Sequence, residues 1–470
     1  MAALTFKKST HERIVHQTDA KYELIVSNDE VMGDPEKFLA GDTIPLSEIC
    51  EGLGVESLWP LVYTLRNHVK SYKDKYYYGF KQNVSDEGIT NYVMAVYKNI
   101  KQIFESFKPD LIIVPNFVAL PHIMFNLYAL KRGVPMMGVT DVKVRGYYIF
   151  NYQYQDTKGS FYDRVDELNE KRAETENREN ARKYIREFRE KFKEPTYMEL
   201  FQEEPKNIWQ KIKHEISPYV QIARWYYKKP IDVIKSTGIT LDYRPPRIIL
   251  RDHYCHKRYK RFTEKFNYYS FNKIKKFVYF PLQVQPEASI DVAAPYFSNQ
   301  IEVARLAAMS LPDDYTLVVK EHPAMVGLRP PSYIEKIDRT ANVKLIDYRI
   351  SSEEVLRRAD LVISPNSTTI SEAAFLQVPT IQLGDLGTTL KLPNVFKHTD
   401  MPTLASKIKE VLKVNLKTDE YERRLENYVA AAFDEGMKFN YFEAWERGTE
   451  DLEKLWVFYK KEMGNVLNVK

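Results

Sequence analysis

Three short polar segments in the second half of this 470-residue chain each follow an apolar run. They read FPLQVQPEAS at 280–289, VVKEHP at 318–323 and ISPNSTTISE at 363–372. A buried strand that only had to turn would more often end on Gly, Asn or Asp. The amides, hydroxyls, lysine and histidine found here are groups that bind phosphate and sugar oxygens. The segments therefore indicate a site for a phosphate or diphosphate joined to a sugar.

The segment at 318–323 offers two donors to an anion. Lys320 would bind phosphate as a point charge, and His322 would bind it through a ring nitrogen. Glu321 stands between them and would balance the charge or orient a neighbour, while Pro323 fixes the backbone after His322. A single histidine after a strand also suits a purely structural role, and that alternative stays open.

The segment at 363–372 ends a strand and begins a helix. The backbone N–H groups of a helix N-terminus, together with Asn366, Ser367, Thr368 and Thr369, would form an anion site. Glu372 falls within the first two turns and would reach the ribose hydroxyls of a nucleotide. Because Ser and Thr are also common helix caps, the alternative is an ordinary capped helix.

The segment at 280–289 combines neutral groups with one carboxylate. Gln283, Gln285 and Ser289 supply donors and acceptors for sugar hydroxyls or phosphate. Glu287 would act as acid, base or hydrogen-bond acceptor, although a polar loop with one exposed glutamate is the alternative. At a fourth strand end, within LIDYRISSEE, backbone groups at 346–348 would read a base, and Tyr348 or Arg349 would stack on it.

The elements that carry these segments alternate regularly between 277 and 400. Short runs rich in Val, Ile, Leu and Phe are separated by helical patterns, with connections of a few residues, which predicts a doubly wound Rossmann-type domain. Ser298 and Ser351 are predicted N-caps, the latter in a capping box with Glu354. Ligands of such sheets bind beyond the carboxyl ends of the strands, so we expect the three segments to meet there.

The first half of the chain also reads as α/β up to about residue 155. A helix at 89–107, a buried strand at 111–114, a helix closed by Gly133 and a strand at 134–141 form a βαβ unit. Residues 160–230 are different: they are charged and strongly helical, and their second part mixes Trp, Tyr and Ile with Lys. We interpret them as a solvated helical insertion, or as a basic and aromatic surface that meets a lipid or membrane.

Composition excludes several classes of protein. A net charge of +5, from 69 basic and 64 acidic residues, does not suit a dedicated nucleic-acid binder but is compatible with anionic substrates or an anionic membrane. Cys50 and Cys255 cannot build a disulfide framework or a CxxC metal site. Because the first residues lack an apolar stretch and no 18 consecutive residues are apolar, we predict a cytoplasmic protein, with any membrane contact peripheral and at the inner face.

The three segments resemble those of the capsule polysaccharide biosynthesis proteins. These are glycosyltransferases of the GT-B fold and include the transferases that use CMP-activated Kdo. The resemblance covers roughly residues 275–390. It implies two Rossmann-type domains facing across a cleft: an acceptor-side domain at 1–245 that includes the insertion at about 160–230, and a donor domain at 246–400. Helices at 401–470 would pack back toward the first domain.

The resemblance also implies roles for individual residues. His322 and Lys320 would contact the donor phosphate, and the Ser367–Thr369 cluster would hold it at the helix N-terminus. Glu372 matches a ribose-binding glutamate, while Gln283, Gln285 and Glu287 would line the cleft near the anomeric carbon. The fold needs no metal or cofactor beyond its nucleotide-sugar substrate, CMP-linked more readily than UDP-linked, and its acceptor would be a saccharide or glycolipid.

The catalytic base of the first domain is not marked by any motif. Asp19, Asp29, His122 and Asp141 are candidates by position, and His122, at the start of a helix after strand 111–114, is the best placed. Three other functions fit the same pattern: a UDP-sugar 2-epimerase, a transferase that uses a CDP-polyol, and a non-catalytic scaffold of a surface-carbohydrate assembly.

Overall fold

Two six-stranded sheets form the framework of the computed structural model. The structure describes residues 2–5, 24–27, 31, 35–64, 85–155, 157–192, 208–228, 246–285, 287–441, 444 and 450–468. Asp19 and Asp29, two of the positional candidates for a catalytic base, lie outside these residues.

The strands are numbered in chain order. They are β1 (Ala2–Thr5), β2 (Leu24–Ser27), β3 (Ile112–Ile113), β4 (Met136–Asp141), β5 (Tyr147–Asn151), β6 (Phe277–Pro281), β7 (Thr316–Lys320), β8 (Val343–Ile346), β9 (Leu361–Ser364), β10 (Thr380–Gln382), β11 (Val395–Lys397) and β12 (Met437–Lys438).

The α-helices are numbered in the same way. They are α1 (Pro35–Leu39), α2 (Leu46–Leu53), α3 (Trp59–Val62), α4 (Asp86–Ser106), α5 (Leu120–Lys131), α6 (Ser160–Glu170), α7 (Arg178–Glu190), α8 (Ile208–Lys228), α9 (Pro246–Glu264), α10 (Ala288–Asp291), α11 (Gln300–Met309), α12 (Pro331–Asp338), α13 (Ser352–Leu356), α14 (Thr368–Phe375), α15 (Gly387–Leu390), α16 (Leu404–Val411), α17 (Asp419–Glu435) and α18 (Glu450–Asn468).

The second sheet is parallel throughout, in the order β11-β10-β9-β6-β7-β8. Its central strands are buried from end to end, because helices cover both faces of the sheet. This is the strand order of the Rossmann fold, in which the chain reverses direction across the sheet between its first and fourth strands. The reversal here falls between β6 and β9, and ligand crevices of such sheets open at that point.

The first sheet has the order β12-β5-β4-β3-β1-β2. Strands β1 to β4 are parallel. At one edge, β5 pairs antiparallel with β4, and β12 pairs antiparallel with β5. Apolar residues of α4 and α5 pack into one core cluster with the partly buried Leu24 and Val26 of β2. The predicted pair of Rossmann-type α/β sheets is thereby confirmed, with the antiparallel edge as an addition that the sequence did not indicate.

The C-terminal segment returns to the first sheet. Strand β12 pairs with β5, and α18 packs on the face formed by Leu111, Ile113, Met137 and Val139. Its buried apolar residues recur at helical spacing, as expected for a helix with one face against a sheet. They are Leu452, Leu455, Trp456, Phe458 and Tyr459. The first unit is therefore completed by residues from the far end of the chain.

The charged block at 160–192 is not simply solvated, contrary to one of the two interpretations above. The apolar faces of α6 and α7 pack on α17 and on Phe375 of α14, in a cluster that also contains Val142 and Val144 of the β4–β5 turn. Arg189 donates to both carboxylate oxygens of Glu422, at 3.0 and 2.9 Å, and to the carbonyl of Phe375. The charged composition hid this packing, because three or four apolar residues in every two turns are enough to bury one face of a helix.

Most predicted helix ends agree with the structure. Gly133 has a φ of 67° just after α5, and the Ser351 hydroxyl accepts a hydrogen bond from the N–H of Glu354. Ser298 is not the cap of α11, since Asn299 takes that position and accepts from the N–H of Glu302. The difference is one residue and leaves the position of the helix unchanged.

Candidate functional site

The loops that follow β6 and β7 are held together by a buried arginine. Arg329 is 1% exposed and donates to the Glu321 carboxylate at 2.6 Å and to the backbone carbonyl of Gln283. Its guanidinium also lies over the Tyr333 ring, 4.6 Å from the centroid. The Glu321 carboxylate accepts in turn from the N–H of His322 at 2.7 Å. The guanidinium thus donates from two nitrogens to two different loops, and its ion pair with Glu321 fixes the backbone that carries His322.

The glutamines after β6 form a buried amide network. Gln300 accepts from the N–H of Gln283 at 2.6 Å and donates to the Gln285 side-chain oxygen at 2.5 Å. Gln285 donates to the Asp291 carboxylate, and the Gln283 side chain donates to the carbonyl of Pro281. Both side chains therefore shape the loop, and their direct contacts with a donor sugar stay predictions.

Asn366 joins three loops at the β6–β9 reversal. Its amide donates to the carbonyl of Ser289 at 2.8 Å, and its side-chain oxygen accepts from Gln382 at 2.9 Å and from the N–H of Leu386. Gly384 lies so close that a Cβ there would overlap the Asn366 amide. Asn366 is fully buried and positions these loops, and its contact with a ligand stays a prediction. For Ser289 the group engaged is the backbone carbonyl.

His322 is held in one tautomer. Its Nδ1 accepts from the N–H of Ala324 at 3.1 Å, so the neutral ring must carry its proton on Nε2. Burial, reinforced by the Arg329 and Lys320 charges, lowers the pKa of His322 to about 4. No described residue bonds to Nε2. At neutral pH the side chain is thus an uncharged N–H donor, as a contact to a phosphate oxygen requires.

Lys320 does not present its amine in the same way. Nζ donates to the carbonyl of Ile350 at 2.8 Å and to the Ser352 hydroxyl at 3.1 Å, and the residue is buried. These bonds join the end of β7 to the start of α13. Lys320 therefore places a positive charge beneath the loop, where it acts at a distance, and its direct contact with phosphate stays a prediction.

The third segment begins α14 as predicted. The Ser367 hydroxyl accepts from the N–H of Thr369 at 2.9 Å and so caps the helix, while Thr368 and Thr369 are partly exposed. Glu372 is buried beneath them, and its charge adds to the effect of burial in raising the pKa of Tyr279 in β6. The carboxylate therefore lies near Tyr279 of β6. Contacts of these groups with ribose or phosphate stay predictions.

The loop after β6 also touches the first unit. Glu287 is exposed and directly precedes α10, whose Ala288 packs against the core cluster of α4 and α5, as does Val292 just after the helix. Nearby, the N–H of Gly387 donates to the carbonyl of Gln155 at 3.1 Å. The candidate site thus lies where the two units meet, with Glu287 on its rim.

His122 has an environment that does not suit a catalytic base. It is fully buried, its Nδ1 donates to the carbonyl of Asn116 at 2.8 Å, and burial lowers its pKa to about 3. A base with so low a pKa would accept a proton weakly at neutral pH. Asp141 accepts from the N–H and the amine of Lys143 and closes the β4–β5 turn. Neither candidate is retained.

Tyr348 lies at the carboxyl end of β8, on the far side of β7 from the reversal. The ring is half-buried, with the Arg349 guanidinium 5.2 Å from its centroid and Tyr268 edge-on at 6.3 Å. The Arg349 guanidinium already lies over one face of the Tyr348 ring, and stacking of Tyr348 on a base stays a prediction.

Three positioning residues were missed from the sequence: Arg329, Gln300 and Gln382. Arg329 stands in the run GLRPP, and an arginine between apolar and proline residues was the available signal of burial. Among the described residues, no three His, Cys, Asp or Glu side chains lie close enough together to hold a metal ion. Metal independence stays a prediction.

Residues 178–386 match the family model described as capsule polysaccharide biosynthesis protein. The match covers somewhat less than half of the chain, and it includes all three polar segments. The resemblance predicted from those segments is thereby confirmed for this part of the chain. None of the curated proteins matches the chain.

Solved structures with a similar arrangement are distant. The beta Kdo 2,7 transferase KpsC of Thermosulfurimonas dismutans is 12% identical, with 80% of this chain and 87% of that chain covered and a TM-score of 0.35. The UDP-GlcNAc 2-epimerase of Methanocaldococcus jannaschii is 12% identical, with 91% and 98% covered and a TM-score of 0.26. Scores this low do not transfer a function to this chain.

Proposed function

We propose that this protein is a glycosyltransferase of capsule polysaccharide assembly. Its donor is a nucleotide sugar, with a CMP-linked ulosonic acid such as Kdo favoured over a UDP-sugar, and its acceptor is a surface polysaccharide or glycolipid. The family match of residues 178–386 supports the pathway. The observation that supports the activity is the neutral N–H donor of His322. This residue follows β7 at the carboxyl edge of the second sheet, one strand away from the β6–β9 reversal.

Transfer requires that the bond between the anomeric carbon and the phosphate oxygen breaks while the acceptor hydroxyl forms a new bond. The nucleotide leaves with the bonding electrons, so negative charge grows on its phosphate. Nε2–H of His322 and the backbone N–H of Thr368 at the N-terminus of α14 would stabilise that charge. The Lys320 charge below the loop acts in the same direction, whereas the Arg329 charge is balanced by Glu321.

The acceptor hydroxyl must lose a proton, and Glu287 is the carboxylate we assign to it. The residue is exposed at the junction of the two units, whereas His122 is sealed in the first core. An exposed carboxylate can pass the proton to water after the transfer, so the group returns to its starting state. Glu287→Gln should then lower the transfer rate and leave nucleotide affinity unchanged.

Nucleotide binding and transfer can be tested separately. Thermal-shift measurements with CMP, CDP, UDP and GDP should show the largest stabilisation by CMP. A ligand at 100 times its Kd adds about 2.7 kcal/mol to the free energy of unfolding. Incubation with CMP-Kdo and a saccharide acceptor should release CMP only when both are present. If a product forms from UDP-GlcNAc without an acceptor, the protein is an epimerase and this proposal is wrong. If the protein binds none of the nucleotides, the scaffold function is the one that remains.

The proposal includes peripheral contact with an anionic membrane through α8. This helix has the exposed cations Lys213 and Arg224, and it is joined to α9 by the Glu215–Lys257 ion pair. No described helix is long and apolar enough to cross a membrane. An amphipathic helix with basic groups instead lies in the interface. Its exposed apolar residues are Ile208, Trp209, Ile212, Ile216, Tyr219, Val220, Tyr226 and Tyr227.

Vesicle sedimentation tests this contact. The protein should sediment with phosphatidylglycerol vesicles, and Trp209→Glu together with Ile216→Glu should reduce the bound fraction severalfold. Met309→Glu is the matched control, because Met309 is an equally exposed apolar residue on α11 of the donor unit. Equal binding of the α8 variant and the control would remove the membrane from the proposal.

A further inference from the structure

A pocket of about 930 Å³ opens at one edge of the first sheet, apart from the three polar segments. Its walls are the β4–β5 turn, the start of β5, one side of α7, the end of α17, β12 and the first turn of α18. Strand β5 begins where β4 ends, so this is the carboxyl edge of the parallel strands. The same turn packs on the second unit, since Tyr428 of α17 donates to the carbonyls of both Val142 and Thr388.

Ordered aromatic rings form much of the pocket wall. Tyr147 packs on Phe433 with centroids 4.8 Å apart, and Tyr148 packs on Phe439 at 4.9 Å. Tyr184 lies edge-on to Phe433, and its hydroxyl accepts from the N–H of Arg145 at 2.9 Å. The three tyrosines are half-buried, so each is held by its neighbours and still shows part of its surface. Such rings offer rigid amphipathic contact area at low entropic cost.

Amide groups supply the polar part of the wall, and they are also held in place. Asn177 donates to the Asp434 carboxylate at 2.8 Å, and its side-chain oxygen accepts from Asn180 at 3.0 Å. The Asp434 carboxylate is fixed in turn by Arg164 at 2.8 Å. Amides provide both donors and acceptors, as paired recognition of sugar hydroxyls requires.

The charge of the pocket is positive. Four cationic side chains face two carboxylates, which leaves two positive charges at neutral pH. Lys183 is 4.0 Å from Glu187, and Lys454 is paired with Asp451 and with a glutamate of the same helix. Lys438 is exposed, and it makes no ion pair with any described residue. Cations that line a concave surface concentrate anionic ligands.

We propose that this pocket binds an acidic oligosaccharide. The sugar rings of the ligand would pack on the tyrosines, its hydroxyls would bond to the asparagine amides, and its carboxylates or phosphates would bind Lys438 and the neighbouring cations. This inference rests on the proposed function and deepens it, because the ligand would be the glycan chain that the transfer extends. The volume accommodates several sugar units. The pocket is formed by the first unit and by helices that return to it, whereas the nucleotide site is built on the second sheet.

Calorimetric titration of the full-length protein tests the proposal with two probes of similar length. Tetragalacturonic acid should bind and maltotetraose, its neutral counterpart, should bind at least tenfold more weakly. Lys438→Glu should weaken the binding of tetragalacturonic acid by about tenfold or more, since a hydrogen bond to a charged group is replaced by a repulsion. Lys409→Glu makes the same charge change on an exposed lysine of α16 and should leave the affinity at the wild-type value.

Three outcomes would overturn the proposal: no binding of the acidic probe, equal binding of the neutral probe, or equal affinities of the Lys438→Glu and Lys409→Glu proteins. The nucleotide thermal shift is measured on the same proteins. A normal nucleotide shift beside any of these outcomes removes the pocket and leaves the proposed function intact. A missing nucleotide shift in the wild-type protein removes the proposed function, whatever the probes do.

Discussion

The chemistry of the candidate site depends on a histidine that is kept neutral. Burial and the charges of Arg329 and Lys320 all disfavour protonation of His322, and the N–H of Ala324 occupies Nδ1. A neutral donor costs less to desolvate than a cation, and it stabilises charge that grows on a leaving phosphate without holding the product too tightly. Arg329 and the His322 backbone both bond to Oε1 of Glu321, and a ligand contact of this carboxylate stays a prediction.

His322→Ala should lower the rate of sugar transfer by about two to three orders of magnitude, which is the usual loss when one preorganised donor is removed. His322→Gln should recover part of the rate, because its amide can donate from nearly the position of Nε2. The measurement is turnover with saturating donor, and circular dichroism checks that both variants are folded. Normal turnover of His322→Ala would show that the residue is not at the reacting phosphate.

The fully buried His122 gives the fold a dependence on pH. Its folded pKa of about 3 is below the ordinary value near 6.5, so between these values the unfolded chain binds the proton and the folded chain does not. The free energy of unfolding should therefore fall on acidification, with about 2 kcal/mol lost from this group between pH 7 and pH 5. The loss stops once the pH is below the folded pKa.

Urea denaturation at the two pH values measures this loss, with His122→Gln as the reference protein. The variant should be less stable at pH 7 but should lose less on acidification, since every other titrating group is shared. An identical loss in the two proteins would mean that His122 titrates normally and is not sealed in the core.

At the scale of elements, the site is built from loops that bond to one another before any ligand is present. Arg329 joins the loops after β6 and β7, and Asn366 joins those after β6, β9 and β10. Each buried polar group is costly if left unpaired, so these bonds select one arrangement of the loops. The N-terminus of α14 thereby gains a fixed position relative to β6, although its own cap could form in isolation.

Gly384→Ala tests this coupling between loops. An added Cβ would overlap the Asn366 amide and approach the Ala294 methyl group, so the loop must shift and the link to Ser289 must weaken. We expect a loss of stability on the order of 1–3 kcal/mol and weaker nucleotide binding, measured by thermal unfolding with and without CMP.

Gly464→Ala is the matched control, because a Cβ at this position in α18 meets nothing within 4 Å. A helical glycine replaced by alanine should raise stability by up to about 1 kcal/mol. If both alanine variants behaved alike, close packing at Gly384 would not be what holds the Asn366 loop.

At the scale of the whole molecule, the two units are joined by elements distant in sequence. Helices α6 and α7 pack on α17 between the β4–β5 turn and α14, and α18 covers the outer face of the first sheet. The chain therefore crosses between the units more than once, and each crossing buries apolar surface that neither sheet could bury alone. The proposed glycan pocket exists only because α7, α17, β12 and α18 converge on the edge of the first sheet.

Phe458→Ala should destabilise the protein by about 3–5 kcal/mol, as expected for a buried aromatic residue in a close-packed core. Phe458 is 1% exposed and packs on Phe150 of the first sheet, with centroids 4.3 Å apart. Its neighbour Val457 is 57% exposed on the same helix, so Val457→Ala should change stability by less than about 0.5 kcal/mol. Equal effects in chemical denaturation would show that α18 does not pack on the sheet in solution.

The sequence alone was sufficient for the elements and for the sheet edge at which the three polar segments lie. Buried strands of Val, Ile, Leu and Phe, alternating with helices that have caps such as Ser351 and stops such as Gly133, depend on neighbours a few residues away. Because parallel strands end at one edge of a sheet, the pattern was also enough to bring the three polar segments together. Hydroxyls at the start of α14 and the histidine after β7 were readable for the same local reason.

Only the tertiary structure decided which polar side chains are available to a ligand. Lys320, Gln283, Gln285 and Asn366 have the right chemistry for binding, yet each is buried and hydrogen-bonded to other groups of the protein. Burial likewise separates His122 from the exposed Glu287, although both are ordinary titratable residues in the sequence. Solvation and hydrogen-bond partners come from packing between distant segments, and no local pattern contains that information.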